Sequence, residues 1–104
     1  MKNSLIFVMT GSRSEARKIA RYLVKKRLAA CVNIIAAVES IYTWKGKIES
    51  AREFMLIIKS TAKRFPDIEK AVKSLHSYEC PEIIEISIKG GSRSYIRWIS
   101  DAVS

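Results

Sequence analysis

A long hairpin-like stretch, residues 29–60, constrains this chain more than any other feature of its sequence. Two runs rich in β-branched and aromatic residues flank a short link at residues 45–47, which carries the only glycine of the stretch. Such runs around a glycine-bearing link are typical of a β-hairpin. Because side chains alternate along a strand, the first arm is expected to place its even-numbered residues on one face: Val32, Ile34, Ala36, Val38, Tyr42 and Trp44.

The hairpin is too long for a compact chain of this size. An arm of about 14 residues, at about 3.3 Å each, spans roughly 45 Å. A compact chain of 104 residues has a radius of gyration of about 13 Å and is therefore about 33 Å across. The tip, with Tyr42 and Trp44 close to it, must project or the arms must bend. A projecting tip of this kind favours a partner, so the sequence predicts an oligomer.

The remaining sequence alternates between strand and helix patterns. A continuous apolar run at residues 5–9 is typical of a strand buried on both faces. Ser12 and Glu15 form a capping-box pattern, in which the Ser12 hydroxyl accepts from the Glu15 amide and the Glu15 carboxylate reaches back. The other predicted elements are helices at 12–27, at 61–75 with its regular part from about residue 65, and from 92 onward, and a strand at 82–89 in which Ile84, Ile86 and Ile88 face the core.

The predicted order is strand, helix, strand, strand, helix, strand, followed by a terminal helix. That order is the ferredoxin-like split βαβ arrangement (βαββαβ) of the α+β class, here with an antiparallel sheet, a long central hairpin and a C-terminal helix. Right-handed crossovers place strands one and three at the centre. Helices cover only one face of such a sheet. A second copy is expected to cover the other face, whose apolar residues are Phe7, Met9, Met55 and Ile57.

Length, composition and charge narrow the class of protein further. The chain is expected to form a single domain, residues 1–104, and its 48% hydrophobic residues supply a core. No apolar run approaches the length of a membrane span, and the apolar stretch near the start is too short for a secretory signal. We therefore expect a cytoplasmic protein, without membrane contact, in which Cys31 and Cys80 are free thiols.

A formal net charge of +9 raises nucleic acid as a partner. The basic residues, however, are spread over the predicted helices and are not interleaved with exposed aromatic residues. We interpret them as solvated surface charges and do not expect nucleic-acid binding.

A set of ordered residues between positions 29 and 98 carries a resemblance to a known family. They are residues 29–34 (Ala-Ala-Cys-Val-Asn-Ile), 39–42 (Glu-Ser-Ile-Tyr), Trp44, 46–48 (Gly-Lys-Ile), 58–59 (Ile-Lys), His76, 78–79 (Tyr-Glu), 81–84 (Pro-Glu-Ile-Ile), Tyr95 and Trp98. In these positions the chain resembles the CutA family, small proteins associated with divalent-cation tolerance. So many matches in order are far more specific than one short motif.

The resemblance implies a homotrimer of ferredoxin-like subunits, similar to the PII-type signalling proteins. It also implies a cytoplasmic protein with a link to copper or other divalent metals and with no established enzymatic reaction. We expect copper or another divalent cation to bind weakly, and we expect a protein partner that the sequence does not identify. Several positions depart from the family pattern, among them Ala36, Thr43, Ser60 and Ser77. Ala36 and Ser77 stand where proline is usual, so we expect a less enforced bend at the first and a looser loop at the second.

His76, the only histidine, is the first candidate for a metal ligand. Family members described as metal-binding are similar at this position. In the expected sheet, the end of strand one lies beside the start of strand four, which brings Met9 near the loop that contains His76 and Cys80. A thioether, an imidazole and a thiol suit copper, whereas Glu79 and Glu82 suit a harder cation. The prediction is a weak metal site at His76, Met9 and Cys80.

Four residues are candidates for a ligand cleft: Lys59, Tyr42, Trp44 and Glu79. Lys59 ends a central strand, where its ammonium group either meets an anionic ligand between subunits or simply marks the strand end. Tyr42 and Trp44 form either a ligand platform or a contact across a subunit interface.

Two other functions share the predicted topology. An RNA-recognition domain needs aromatic residues on the outer face of strands one and three. Phe7 is available on the first, but residues 52–56 (Arg-Glu-Phe-Met-Leu) lack the glycine-aromatic pattern on the other. A small acylphosphatase-type hydrolase needs an arginine and an asparagine at an anion-binding loop, for which residues 11–14 (Gly-Ser-Arg-Ser) are a poor candidate. The sequence shows no Ser-His-Asp pattern, no phosphate-binding glycine loop and no carboxylate pair placed for acid/base catalysis. We therefore expect a protein that is not an enzyme.

Overall fold

The computed structural model of the protein describes residues 2–104. Its strands are β1 (Asn3–Thr10), β2 (Cys31–Trp44), β3 (Lys47–Thr61) and β4 (Ile83–Ser87), and its helices are α1 (Arg13–Lys25), α2 (Phe65–Leu75) and α3 (Arg93–Ala102), with a 3-10 turn at Ala62–Arg64 before α2. The order of elements is the predicted one. The ferredoxin-like α+β fold, with its long hairpin and terminal helix, is confirmed.

The four strands form one antiparallel sheet in the order β2-β3-β1-β4. This order confirms that strands one and three are central. The sheet face that packs on α1 and α2 is fully buried at Ile6, Val8, Leu56 and Ile58. The facing helix residues are buried as well, namely Ile19, Leu23, Ile68 and Val72. Each such side chain stabilises the fold by roughly 1.5–3 kcal/mol on leaving water, so this layer is the hydrophobic core.

The opposite face of the sheet, here called the open face, is apolar and only partly covered. Strand pairing places Phe7 between Ile57 and Ile84 on this face. Ile84 and Ile86 are 48% and 44% exposed. The prediction that these two isoleucines face the core is wrong, because the alternation of β4 turns Ile83 toward the core instead.

Helix α3 covers one end of the open face. The side-chain amide of Asn3 donates to the main-chain oxygen of Ile96 at 2.9 Å, and its oxygen accepts from the Ser100 hydroxyl at 3.0 Å. The Lys59 ammonium donates to the Tyr95 hydroxyl at 3.2 Å. Asn3 and Lys59 both belong to the open face by strand pairing. The expectation that helices cover only one face is therefore wrong at this end of the sheet.

A β-bulge lies in the first hairpin arm, between Ile35 and Val38. Ala37 there adopts a left-handed backbone conformation with φ 61°. The extra residue reverses the alternation of the strand, so that Val38, paired with Glu53, lies on the same side as Ile35. The predicted single face of even-numbered residues is wrong for this reason. Val32 and Ile34 face the helices, whereas Val38, Tyr42 and Trp44 lie on the side of the open face.

The hairpin projects from the core, as its length predicts. Every residue from 41 to 50 is exposed, and the described chain measures 44 × 25 × 22 Å. Gly46 closes the turn with φ 76°, a conformation that glycine adopts without steric cost. Two isoleucines near the tip, Ile41 and Ile48, are 70% and 82% exposed. A single copy therefore leaves apolar side chains of the hairpin in water.

Candidate functional site

A cavity of about 650 Å³ lies at the base of the projecting hairpin. Its walls come from the end of β1, from both hairpin arms beyond the bulge and from the loop between α2 and β4. The lining includes Met9, Tyr42, Trp44, Glu53, Tyr78, Glu79, Cys80 and Glu82. Because the bulge reverses the alternation of β2, Tyr42 and Trp44 reach the side of the sheet on which Glu53 lies. We call this space the hairpin cavity.

His76 braces the loop that forms one wall of the hairpin cavity. Its side chain is wholly buried. Its Nε2 lies 2.6 Å from the main-chain oxygen of Met9, and the main-chain amide of Tyr78 donates to its Nδ1 at 3.0 Å. A carbonyl oxygen can only accept, so this network assigns the proton of the neutral ring to Nε2.

The bonding of His76 leaves neither ring nitrogen free for a metal ion. In the neutral ring, Nδ1 accepts from the Tyr78 amide. In the protonated ring, Nδ1 donates to the Glu15 carboxylate, whose Oε1 lies 3.2 Å away. A metal ion needs the lone pair of a neutral imidazole nitrogen. Metal binding through His76 stays a prediction, and it requires a buried hydrogen bond to break.

Glu15 ties helix α1 to the same loop. Its Oε1 accepts from the main-chain amide of Ser77 at 3.1 Å and from the Ser77 hydroxyl at 3.2 Å. The predicted cap is confirmed in part, since the Ser12 hydroxyl accepts from the Glu15 amide at 3.2 Å, whereas the carboxylate binds the loop and not Ser12. A proline at position 77 would have no N–H to donate. The expected looseness at Ser77 is therefore wrong, because serine contributes two hydrogen bonds there.

Tyr78 connects the loop to the hairpin. Its hydroxyl donates to Oε2 of Glu53 at 2.9 Å, and its ring centroid lies 4.6 Å from that of His76. Partial burial, reinforced by the hydrogen-bonded carboxylate of Glu53, raises the pKa of Tyr78 to about 12. The phenol therefore remains a proton donor at neutral pH. Gly11 permits this arrangement, since a Cβ atom at that position would lie only 3.0 Å from the Tyr78 hydroxyl oxygen.

The hairpin cavity brings together five of the predicted site residues: Met9, Cys80, Glu79, Tyr42 and Trp44. The Cys80 thiol is free and exposed. Within residues 2–104, however, no three side chains of His, Cys, Asp or Glu form a group that could hold a metal ion. The cavity thus supplies soft ligand atoms and carboxylates without a preformed coordination shell.

Lys59 lies apart from the hairpin cavity, under α3. Its Nζ is 5.5 Å from the centroid of the Tyr95 ring, in addition to its bond with the Tyr95 hydroxyl. Cys31, half-buried, is its neighbour across the strands. The four residues predicted for one ligand cleft therefore lie in two places. Lys59 contacts the terminal helix, whereas Tyr42, Trp44 and Glu79 line the hairpin cavity.

Glu53 and Tyr78, which are hydrogen-bonded to each other in the cavity, were not among the predicted site residues. Glu53 shares a face of β3 with Met55 and Ile57, and a carboxylate at the end of such an apolar face is a signal that the sequence does contain. Tyr78 carries no comparable signal, because its role depends on a contact with Glu53, which lies 25 positions away.

The profile of the CutA1 divalent ion tolerance protein family matches residues 4–102. The chain belongs to this family. It is 40% identical over 97 residues to the divalent-cation tolerance protein CutA of Thermus thermophilus, which covers 93% of this chain and 94% of the relative. It is also 40% identical over 101 residues to the CutA protein of Archaeoglobus fulgidus, which covers 97% and 98% of the two chains.

Solved CutA structures have the same fold. The Thermus thermophilus protein superimposes with a TM-score of 0.96 at 38% identity, covering 98% of this chain and 99% of the other. The Archaeoglobus fulgidus protein, whose name calls it periplasmic, gives 0.95 at 39% identity, with coverage of 98% and 99%. The resemblance to CutA is thus confirmed, and these relatives give no support to the RNA-binding or acylphosphatase alternatives. Across residues 2–104, none of the helices has the length and apolar character needed to cross a membrane.

Proposed function

We propose that this CutA family member is a divalent-cation response protein that works as a homotrimer in the cytoplasm. In this proposal it is not an enzyme. Like the PII-type proteins that it resembles, it binds a ligand and passes the change to a protein partner. The observation that carries the proposal is the hairpin cavity, because it gathers soft ligand atoms and carboxylates at the base of a projecting arm.

Weak binding of copper is the part of the proposal that depends on this cavity. The Cys80 thiol and the Met9 thioether are the soft ligands that copper prefers, whereas Glu79 and Glu82 suit a harder cation. Metal binding at Cys80 would release its thiol proton. Because His76 is occupied on both nitrogens, we assign the copper ligands to Cys80 and Met9. Two soft ligands without a third already in place favour weak binding.

A copper titration tests this assignment. Titration of the reduced protein with cuprous ion, against a competing chelator, should give saturable binding that Cys80→Ser removes and Met9→Leu weakens. Cys31→Ser is the matched control, because Cys31 is the other free cysteine and lies outside the cavity. That variant should bind copper as the unmodified protein does. An unchanged isotherm for Cys80→Ser would contradict the assignment.

The homotrimer is supported by the two surfaces that one copy leaves uncovered. The open face exposes Ile84 and Ile86, and the hairpin exposes Ile41 and Ile48. Strands β2 and β4 are sheet edges, which readily pair with another strand. A closed ring of three copies allows hairpin arms to pair with neighbouring edges while open faces pack around the axis. An obligate interface of this kind buries more than roughly 2,000 Å² in total.

A further inference from the structure

Glu53 is a buried carboxylate without a cation. It is only 9% exposed, although it lies on the open face of a central strand. Its Oε2 accepts from the Tyr78 hydroxyl. Among residues 2–104, no lysine, arginine or histidine forms an ion pair with Glu53, and no donor contacts its Oε1. Among the described residues no buried side-chain oxygen lacks a hydrogen-bond partner, so the Oε1 of Glu53 keeps contact with solvent in the hairpin cavity and can accept an N–H there.

The hairpin cavity is acidic although the chain is strongly basic. The formal net charge is +9 and the chain has only 10 acidic residues, yet three of them, Glu53, Glu79 and Glu82, line this one cavity. None of the lining residues is a lysine or an arginine. Carboxylates gathered in a cleft concentrate negative potential. The cavity therefore attracts cations that the rest of the surface repels.

The shape and walls of the cavity also suit an organic cation. Tyr42 and Trp44 contribute aromatic rings, whose faces attract ammonium and guanidinium groups. The volume of about 650 Å³ falls within the range of small-molecule sites, roughly 300–1,000 Å³. Tight binding of a divalent ion requires several ligand atoms at close range, and the described residues hold no such preformed group, so a weakly bound metal ion leaves the cavity open to an organic cation.

We propose that the hairpin cavity binds an alkylammonium or guanidinium group, with Oε1 of Glu53 accepting an N–H and the rings of Tyr42 and Trp44 packing on the cation. This site goes beyond the proposed metal response and does not depend on Cys80. The cationic group has two sources, a free amine or guanidine molecule, or a lysine or arginine side chain of another copy of the protein. Both present the same chemistry to Glu53.

Butylguanidinium, compared with butylurea, tests this chemistry on the intact protein. The two ligands have nearly the same shape, but only the first is charged. Calorimetry should show saturable binding of butylguanidinium and no binding of butylurea. Glu53→Gln removes the charge and keeps an acceptor for Tyr78, so binding should weaken roughly 10- to 100-fold. Glu49→Gln is the matched control, because Glu49 is exposed on the same strand outside the cavity, and it should bind normally.

The second source of the cation gives a different result with the same variants. If another copy fills the cavity, butylguanidinium will not bind the unmodified protein, and Glu53→Gln will weaken self-association at least about tenfold while Glu49→Gln will not. Trp44→Leu provides an independent variant that should weaken whichever interaction is observed.

The proposal is overturned if Glu53→Gln alters neither ligand binding nor self-association, or if butylurea binds as tightly as butylguanidinium. The result of this experiment does not decide the copper assignment, because Glu53→Gln leaves the thiol of Cys80 in place.

Discussion

Replacing His76 by alanine separates the two roles open to this residue, a brace for the cavity loop or a metal ligand. The buried ring contacts the main chain at Met9 and at Tyr78, and it also packs on the Tyr78 ring. His76→Ala removes all three interactions. We expect a less stable protein in which copper still binds through Cys80.

The loss of stability follows from the interactions of the ring. Each of its two hydrogen bonds contributes about 1 kcal/mol net. The Met9 oxygen, left without this donor in a buried position, costs about another 1 kcal/mol. The ring contact with Tyr78 adds about 0.5–1 kcal/mol. His76→Ala should therefore lower the free energy of unfolding by about 3–4 kcal/mol, which is at least a hundredfold change in the unfolding equilibrium.

Urea unfolding measures this difference if every variant is compared at one protomer concentration, because the stability of an oligomer depends on concentration. His76→Gln is the matched variant, since its side-chain amide can still donate toward Met9, and it should lose less stability. A His76→Ala protein within about 0.5 kcal/mol of the unmodified one, but unable to bind copper, would refute the brace and establish His76 as a ligand.

The ionisation of Tyr78 and the polarity of the open face provide two further tests. In a spectroscopic pH titration Tyr78 should ionise near its pKa of about 12, above the ordinary value of 10.0, and Glu53→Gln should lower that pKa. Because the folded pKa is the higher one, the stability that Tyr78 contributes should be intact below pH 10.0 and lost as the pH rises toward about 12; simultaneous ionisation of all four tyrosines would contradict this. Ile57→Asp, in the middle of the open face, should dissociate the assembly in sedimentation experiments, whereas Val24→Asp on the exposed side of α1 should not. Identical sedimentation of these two variants would exclude a role for the open face.

Features with a local signal in the sequence were predictable. The runs that form β1 and β3 are apolar on both faces, and this identified them as the central strands. The hydroxyl cap of Ser12 follows from residue type and spacing. The family resemblance indicated a bend near Ala36, but the bulge itself was not predictable from the residues, because Ala36 and Ala37 carry no side-chain signal for a left-handed backbone. Because the extra residue of the bulge was not recognised, Tyr42 was predicted on the wrong face of the sheet.

The candidate site could be predicted as a location but not as a set of bonds. Strand order alone brings Met9 near Cys80, because the end of β1 lies beside the loop before β4. Whether His76 has a free ring nitrogen depends on a carbonyl oxygen 67 positions away. The hydrogen bonding of Glu53 likewise depends on the Tyr78 hydroxyl. Such contacts are decided by tertiary packing, so no residue pattern in the sequence reports whether an imidazole nitrogen is free.

The mass of the unmodified protein in solution tests most directly the claim that the open face and the hairpin make this chain an obligate homotrimer. Three copies of the 11.8 kDa chain weigh about 35 kDa. Sedimentation equilibrium at micromolar concentration should give that mass, with no change on dilution across the micromolar range. A folded species of 11.8 kDa under these conditions would contradict the claim.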